Sequence, residues 1–523
     1  MHRKMRGARL LAFSVLAFGF VGSRIAVAQA ASNSLGIFEN QSDVGRVMPP
    51  GAATFDAATG VYTIRSAGED LWADVDEFHF VWKKVSGDVS LTADVKVADG
   101  SATSHPHRKA LLMFRQTLDS DALFAVAAIH GSRETALQYR RAKGDMMQTI
   151  LFNIGAPQRM RLEKRGDTIT LFLSRHGEPL HQTGASTKLH FDGTFYAGLG
   201  MCARKKDTVE QATFAHVELQ PLKPSAAPVP MELFSTLHTI AVDPKVPMDF
   251  VIQTGKGQME APNWSRDGKT LIFDRAGKLW SVTADEGEGE FSEATPIEIG
   301  NATDCTGSHG FSPDGKCLAM TCTTPNQPGR RIYIVPATGG TPRLVTANPD
   351  SYFHSWSRDG KTILFTRPGK GASSIYSIAA DGGQETALTS GTGISDAPDY
   401  SSDDRWIYFN SDRAGGMQIW RMRPDGGDPE QVTFDERPNW TPHPSPDGKS
   451  ILILSYDKGV TGHAANKDVT LRVLNVSGGE IRDLVQIVGG AGSDNMPNWA
   501  PDGAHLAYVS YQFLPAEDEG STQ

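Results

Sequence analysis

Apolar and polar positions alternate with period two over most of this chain, as in Thr168-Ile-Thr-Leu-Phe-Leu173 and Ile407-Tyr-Phe409. Alternation of that kind predicts half-buried strands, and long amphipathic helical patterns are scarce. Between residues 35 and 220 strand-like runs follow one another without an internal repeat, at 60–65, 89–96, 110–115, 123–129, 159–164, 168–173, 195–199 and 212–219. Turn residues separate them, so this half is expected to fold as a two-sheet antiparallel sandwich.

The second half is periodic on a longer scale. A phrase returns six times: Pro262-Asn-Trp-Ser-Arg-Asp-Gly268, His309-Gly-Phe-Ser-Pro-Asp-Gly315, His354-Ser-Trp-Ser-Arg-Asp-Gly360, Pro398-Asp-Tyr-Ser-Ser-Asp-Asp404, Pro442-His-Pro-Ser-Pro-Asp-Gly448 and Pro497-Asn-Trp-Ala-Pro-Asp-Gly503. Its aspartates are 47, 45, 44, 44 and 55 residues apart. Short strands and Asp-Gly turns at such a period predict a β-propeller with one four-stranded blade per repeat. After the last phrase only one strand follows, at 505–510, whereas 237–242 and 249–253 precede the first phrase with no inner strand of their own. Pairing these ends would complete a sixth blade and leave no open sheet edge. The expected fold is therefore all-β: an N-terminal antiparallel jelly-roll β-sandwich, then a six-bladed β-propeller closed by its N-terminal strands. The expected boundaries are 35–221 for the sandwich, 222–230 for a proline-rich linker, 231–511 for the propeller and 512–523 for a disordered tail.

At 523 residues the chain is long enough for two domains, and with 51 basic against 60 acidic residues and no basic stripe it is not expected to bind nucleic acid. Arg3, Lys4, Arg6 and Arg9 precede an apolar run at 10–21, and Ala26-Val-Ala28 and Ala28-Gln-Ala30 both fit a cleavage site. Residues 1–30 are thus expected to be a cleaved bacterial signal peptide, the product periplasmic or secreted, with no later transmembrane segment. Of the four cysteines, Cys305 and Cys322 fall on adjacent strands of the second repeat, where a bridge is conceivable. Buried free thiols are the favoured reading, since spacing does not test bridging geometry.

The phrases resemble those of the TolB-like propeller family, whose blades carry P-x-W-S-P-D-G. The resemblance covers 231–511 and implies an envelope protein that acts through contacts with protein partners. Residues 51–65 (G-A-A-T-F-D-A-A-T-G-V-Y-T-I-R), Asp70-Leu-Trp-Ala-Asp74, Phe78-His-Phe-Val-Trp82 and Gln138-Tyr-Arg140 resemble concanavalin/laminin-G-like domains of bacterial secreted proteins. That likeness implies a jelly roll and carbohydrate binding, for which Trp72, Phe78, His79, Trp82 and Tyr139 offer aromatic surface, although core burial is the usual fate of such residues.

Candidate chemistry lies where the phrases depart from pattern. Histidine replaces the leading proline at His309 and His354, and His443 follows one place later. In a propeller these positions approach the central channel, where three imidazoles could share a divalent ion such as Mn, Zn or Ca. The competing reading is that they fill a polar channel through ordinary hydrogen bonds. Asp304, Asp396, Glu436, Asn439 and His463 occupy nearby strand entries and loops as candidate ligand-binding residues, with Arg437 and Lys467 as charge partners. No G-x-S-x-G, H-E-x-x-H or phosphate loop is present. The leading expectation is a non-catalytic binding module for an envelope protein or extracellular glycan, with no cofactor established. The alternative, from resemblance of the repeats to oligogalacturonate lyases, is a metal-dependent polysaccharide lyase or hydrolase at the channel mouth.

Overall fold

The computed structural model describes residues 35–69, 71–152, 154–155, 157–174, 178–223, 231–242, 248–284 and 293–515. The signal segment, residues 224–230 of the linker and residues 516–523 of the tail lie outside them. Every named element is a strand.

In the N-terminal half two sheets enclose one core. One has seven strands, ordered His181–Lys188, Thr168–Ser174, Arg159–Arg165, Val89–Val97, Glu210–Pro221, Val61–Ser66 and Ala52–Asp56. Facing it are Asn40–Val44, Phe78–Ser86, Thr194–Cys202, Lys109–Arg115, Phe124–His130, Thr135–Arg140 and Gln148–Phe152. Strands Lys109–Arg115 and Phe124–His130 are buried along their whole length. Alternation explains this, because Ala110, Leu112 and Phe114 join the core between the sheets while Leu111 and Met113 face a second cluster with Leu71, Phe78 and Phe80. Within that second layer Asp76 is bound by Arg115 and Arg140, all three side chains being fully buried.

Five four-stranded antiparallel sheets follow, with inner strands Met259–Trp264, His309–Phe311, Tyr352–Trp356, Ser395–Tyr400 and Asn439–Pro444. The phrases make the turns that end these strands. In the first, the Ser265 hydroxyl donates to Asp267 Oδ1 at 2.6 Å and accepts from the Thr270 N–H, while Asp267 Oδ1 accepts from the Lys269 N–H. The same triad recurs at Ser312/Asp314, Ser357/Asp359, Ser401/Asp403 and Ser445/Asp447. The residue after the aspartate has positive φ, and where Asp404 replaces glycine it adopts φ 55°, a conformation aspartate tolerates.

The expectation of six separate blades needs correction, because five four-stranded sheets form. The end strands do pair as anticipated: Met231–Ala241 runs antiparallel to His505–Pro515 from Met231↔Pro515 to Ala241↔His505, and Met248–Lys256 lies on its other side. Yet Met248–Lys256 also pairs in parallel with Gln148–Phe152, so these three strands finish a ten-stranded sheet begun in the N-terminal half. The inner segment of the sixth repeat meets His505–Pro515 through the bridge Trp499↔Leu506 and through the Ala507 and Val509 N–H groups, which donate to the Asn498 and Ser493 carbonyls. The free strand edge that would have bounded a sixth blade is thereby covered.

Cys305 and Cys322 are joined by a disulfide, against the free-thiol reading, whereas Cys202 and Cys317 are free. Spanning a sequence separation of 17 residues, the bridge is worth about 3 kcal/mol of unfolded-state entropy.

Candidate functional site

The inner strands are irregular beside one cavity. Register shifts interrupt Ser395–Tyr400 and Asn439–Pro444, with Ala397 at φ 49° and Thr441 at φ 47°. Bulges re-aim side chains and are common beside functional sites. Here they flank Asp396 and Trp440, which line a cavity of about 590 Å³ together with Tyr352, His354, Thr366 and His463. Five consecutive repeats contribute to it, from Ser308 through Asn495.

His354 Nε2 lies 3.0 Å from Thr366 Oγ1 and 3.3 Å from Asp396 Oδ1. Burial pushes the Asp396 carboxyl up, but the His354 hydrogen bond and charge outweigh it and hold the group below its ordinary value. His463 stacks on Trp440, with ring centroids 4.8 Å apart and planes 9° apart, and meets Tyr456 edge-on. Burial pushes its imidazole down to about 4, so it is neutral near pH 7. Its Nε2 has no protein hydrogen-bond partner. The cavity therefore offers a carboxylate–imidazole pair, a stacked neutral imidazole with a spare nitrogen and an aromatic wall.

The structure brings together His354, Asp396 and His463 among the anticipated residues, and places the others elsewhere. His309 is fully buried, outside the lining of this cavity, with neither ring nitrogen partnered, and burial pushes it down to about 3. His443 is also buried, its Nδ1 3.2 Å from Asp399 Oδ2 and its Nε2 2.6 Å from the Asp494 carbonyl. Among the described residues, no group of three donors within 4.8 Å contains His309, His354 or His443. Asn439 is a buried strut, donating to Gln418, Thr433 and Asp435 and accepting from Ser455. Glu436 and Lys458 form an exposed pair, Arg437 pairs with Asp483, and Asp304 pairs with Arg330. Thr366, on a second strand, and Tyr352 and Trp440, at inner-strand positions before the phrase, carry no signal in the repeat.

A second depression of about 420 Å³ is lined by residues of all six phrases, from Trp264 and Phe311 through Trp356, Tyr400 and Pro444 to Trp499. His354 borders both cavities. In the N-terminal half the aromatic candidates are largely core: Phe78, His79 and Tyr139 are buried, and His79 is held by Asp43 at 2.7 Å and Gln41 at 2.9 Å. Trp72 and Trp82 remain half-buried.

The PD40 family model, described as the TolB beta propeller domain, matches residues 355–477. An uncharacterized protein of Agrobacterium fabrum is 45% identical over 253 residues, covering 48% of this chain and 84% of that protein. A solved structure from Agrobacterium tumefaciens, described as a TolB candidate, superposes with a TM-score of 0.50 at 40% identity and covers 54% of this chain and 99% of its own. The Tol-Pal system protein TolB of Francisella tularensis subsp. mediasiatica is 24% identical over 211 residues, 39% of this chain and 47% of that protein. No described helix is long and apolar enough to cross a membrane. The repeats, the blades they build and these matches agree: the chain belongs to the TolB-like β-propeller family.

Proposed function

We propose that this is an exported, envelope-associated propeller protein that binds a partner protein through the cavity walled by His354, Asp396, Trp440 and His463. The observation that carries the reading is the convergence of five repeats on one cavity whose polar groups are arranged to accept and donate hydrogen bonds beside an aromatic surface. The six-fold ring belongs to the same proposal, with the strands Met231–Ala241, Met248–Lys256 and His505–Pro515 serving as a sixth blade shared with the N-terminal half. So does a jelly-roll assignment for that half, with Trp72 and Trp82 as its surfaces for carbohydrate.

The Tol-Pal naming of the Francisella relative directs the first test to Pal. Binding of the Pal protein of the same organism is measured calorimetrically with the wild type, Asp396→Asn and His463→Ala. Binding weakened about tenfold or more is expected for Asp396→Asn, as for a hydrogen bond to a charged group, and weakened binding for His463→Ala, which removes the ring stacked on Trp440. Unchanged binding in both variants would remove the cavity from the interface, and a wild type that ignores Pal but retains a glycan on an array would transfer the role to carbohydrate.

A further inference from the structure

The loop before Lys109–Arg115 is fastened to the hairpin between Phe124–His130 and Thr135–Arg140. The Ser132 N–H donates to the Pro106 carbonyl at 2.7 Å, the Gly131 N–H donates to the Arg108 carbonyl at 2.8 Å, and Lys109 pairs with His130 in the sheet. The hairpin is closed by the His130 N–H to the Glu134 carbonyl at 2.8 Å, with Arg133 in a left-handed conformation at φ 82°. The backbone thus carries three donors from separate positions to one point. His107 Nδ1 and His130 Nδ1 each lie 3.3 Å from Glu134 Oε2, and one ligand atom from each of the three residues falls within 4.8 Å of the others.

We propose that His107, His130 and Glu134 form a divalent-metal site of the zinc type on the N-terminal half, apart from the propeller channel. Two imidazoles and a carboxylate are a donor set for a borderline cation. Zn–N and Zn–O bonds of about 2.0–2.2 Å in tetrahedral array set donors about 3.3 Å apart, the separation that both histidines already show from Glu134. His130 is buried while His107 is exposed, so the site opens to solvent on one side and keeps a position for water or a ligand. The Lys109 ammonium opposes a cation, but it is directed to the Leu71 carbonyl at 2.6 Å. Ser132 Oγ donates to Glu134 Oε2 at 2.7 Å, so without metal the same carboxylate caps the hairpin turn.

The purified full chain is loaded with Co(II) or Zn(II), freed of excess metal by gel filtration and analysed by mass spectrometry of the metal. One ion per chain is expected, with visible Co(II) absorption. His107→Ala and Glu134→Gln should each weaken uptake more than about 100-fold, beyond the loss seen for outer-shell partners. His107 is exposed and Glu134→Gln conserves shape, so both variants should fold, which circular dichroism checks. Failure of the wild type to retain a stoichiometric ion would overturn the proposal, as would retention undiminished in folded His107→Ala and Glu134→Gln. Loss of the ion in His354→Ala alone would place the metal in the channel and also overturn it.

Discussion

Replacing Asp76 by asparagine tests the buried charge cluster that supports the N-terminal half. Asp76 Oδ1 accepts from Arg140 Nη2 at 2.8 Å, and Oδ2 accepts from Arg140 Nη1 at 3.0 Å and from both terminal nitrogens of Arg115 at 3.3 Å. Burial pushes the carboxyl up while Arg140 and Arg115 pull it back, and burial pushes Arg115 down to about 10, still protonated at neutral pH. An asparagine of the same shape keeps one acceptor but turns two N–H donors toward two guanidinium groups. Removing one partner of a buried ion pair costs about 3–5 kcal/mol. Carbonyls of Ala73, Ala122 and Asp145 still hold Arg140, and that of Thr117 holds Arg115. The expected cost is therefore at the lower end, about 3 kcal/mol. Urea unfolding followed by tryptophan fluorescence suits the measurement, since Trp72 and Trp82 pack on this layer. A loss below about 1 kcal/mol would show that the carboxylate is not the element holding the guanidinium groups, contrary to the buried-pair argument. Replacing all three residues with Leu and Met should recover most of the loss, because well-packed apolar groups commonly match a buried ion triad.

Two further outcomes are expected. Ser312 and Ser401 hydroxyls, and the Lys449 N–H, hold Asp314, Asp403 and Asp447 at about 2. A depressed folded value gives stability that is present above the unfolded carboxylate value of about 3.9 and lost as pH falls through about 2. The melting temperature should therefore fall between about pH 4 and 2, and less steeply in the triple Asp→Asn variant; equal slopes would remove the turns as the cause. Asp274 and Asp494, both pushed up to about 7 by burial, act oppositely, and their contribution is lost as pH rises from 4 through about 7. His309→Phe removes a buried imidazole with neither nitrogen partnered, so thermal unfolding should show unchanged stability or a gain of about 1–3 kcal/mol; a clear loss would mean that the ring is engaged by a bound ion or molecule.

The repeat was legible because the phrases make their own turns: in the first five, serine, aspartate and the following positive-φ residue satisfy one another within six residues, and in the sixth, where alanine stands at position 500, Asp502 accepts from the Ala504 and His505 N–H groups. The pairing of the strand at 237–242 with that at 505–510 was legible for a related reason, since strands lacking an inner or an outer neighbour must find one. The site was legible only in part. His354 stood out as an exception to the phrase, with Asp396 and His463 in strand entries and loops nearby, but His309 and His443 carried the same signal and do not line the cavity.

Local pattern by itself therefore determined an all-β chain, its strands and the register of the phrases, because period and turn chemistry act over a few residues. Only the tertiary structure decided that the last strands join a ten-stranded sheet, that Cys305 meets Cys322, and that His354, Asp396 and His463 share a cavity. It alone drew His107, His130 and Glu134 to one point. These outcomes depend on which strand edges and loops meet across long sequence separations, and pairing of that kind leaves no periodic trace in the chain.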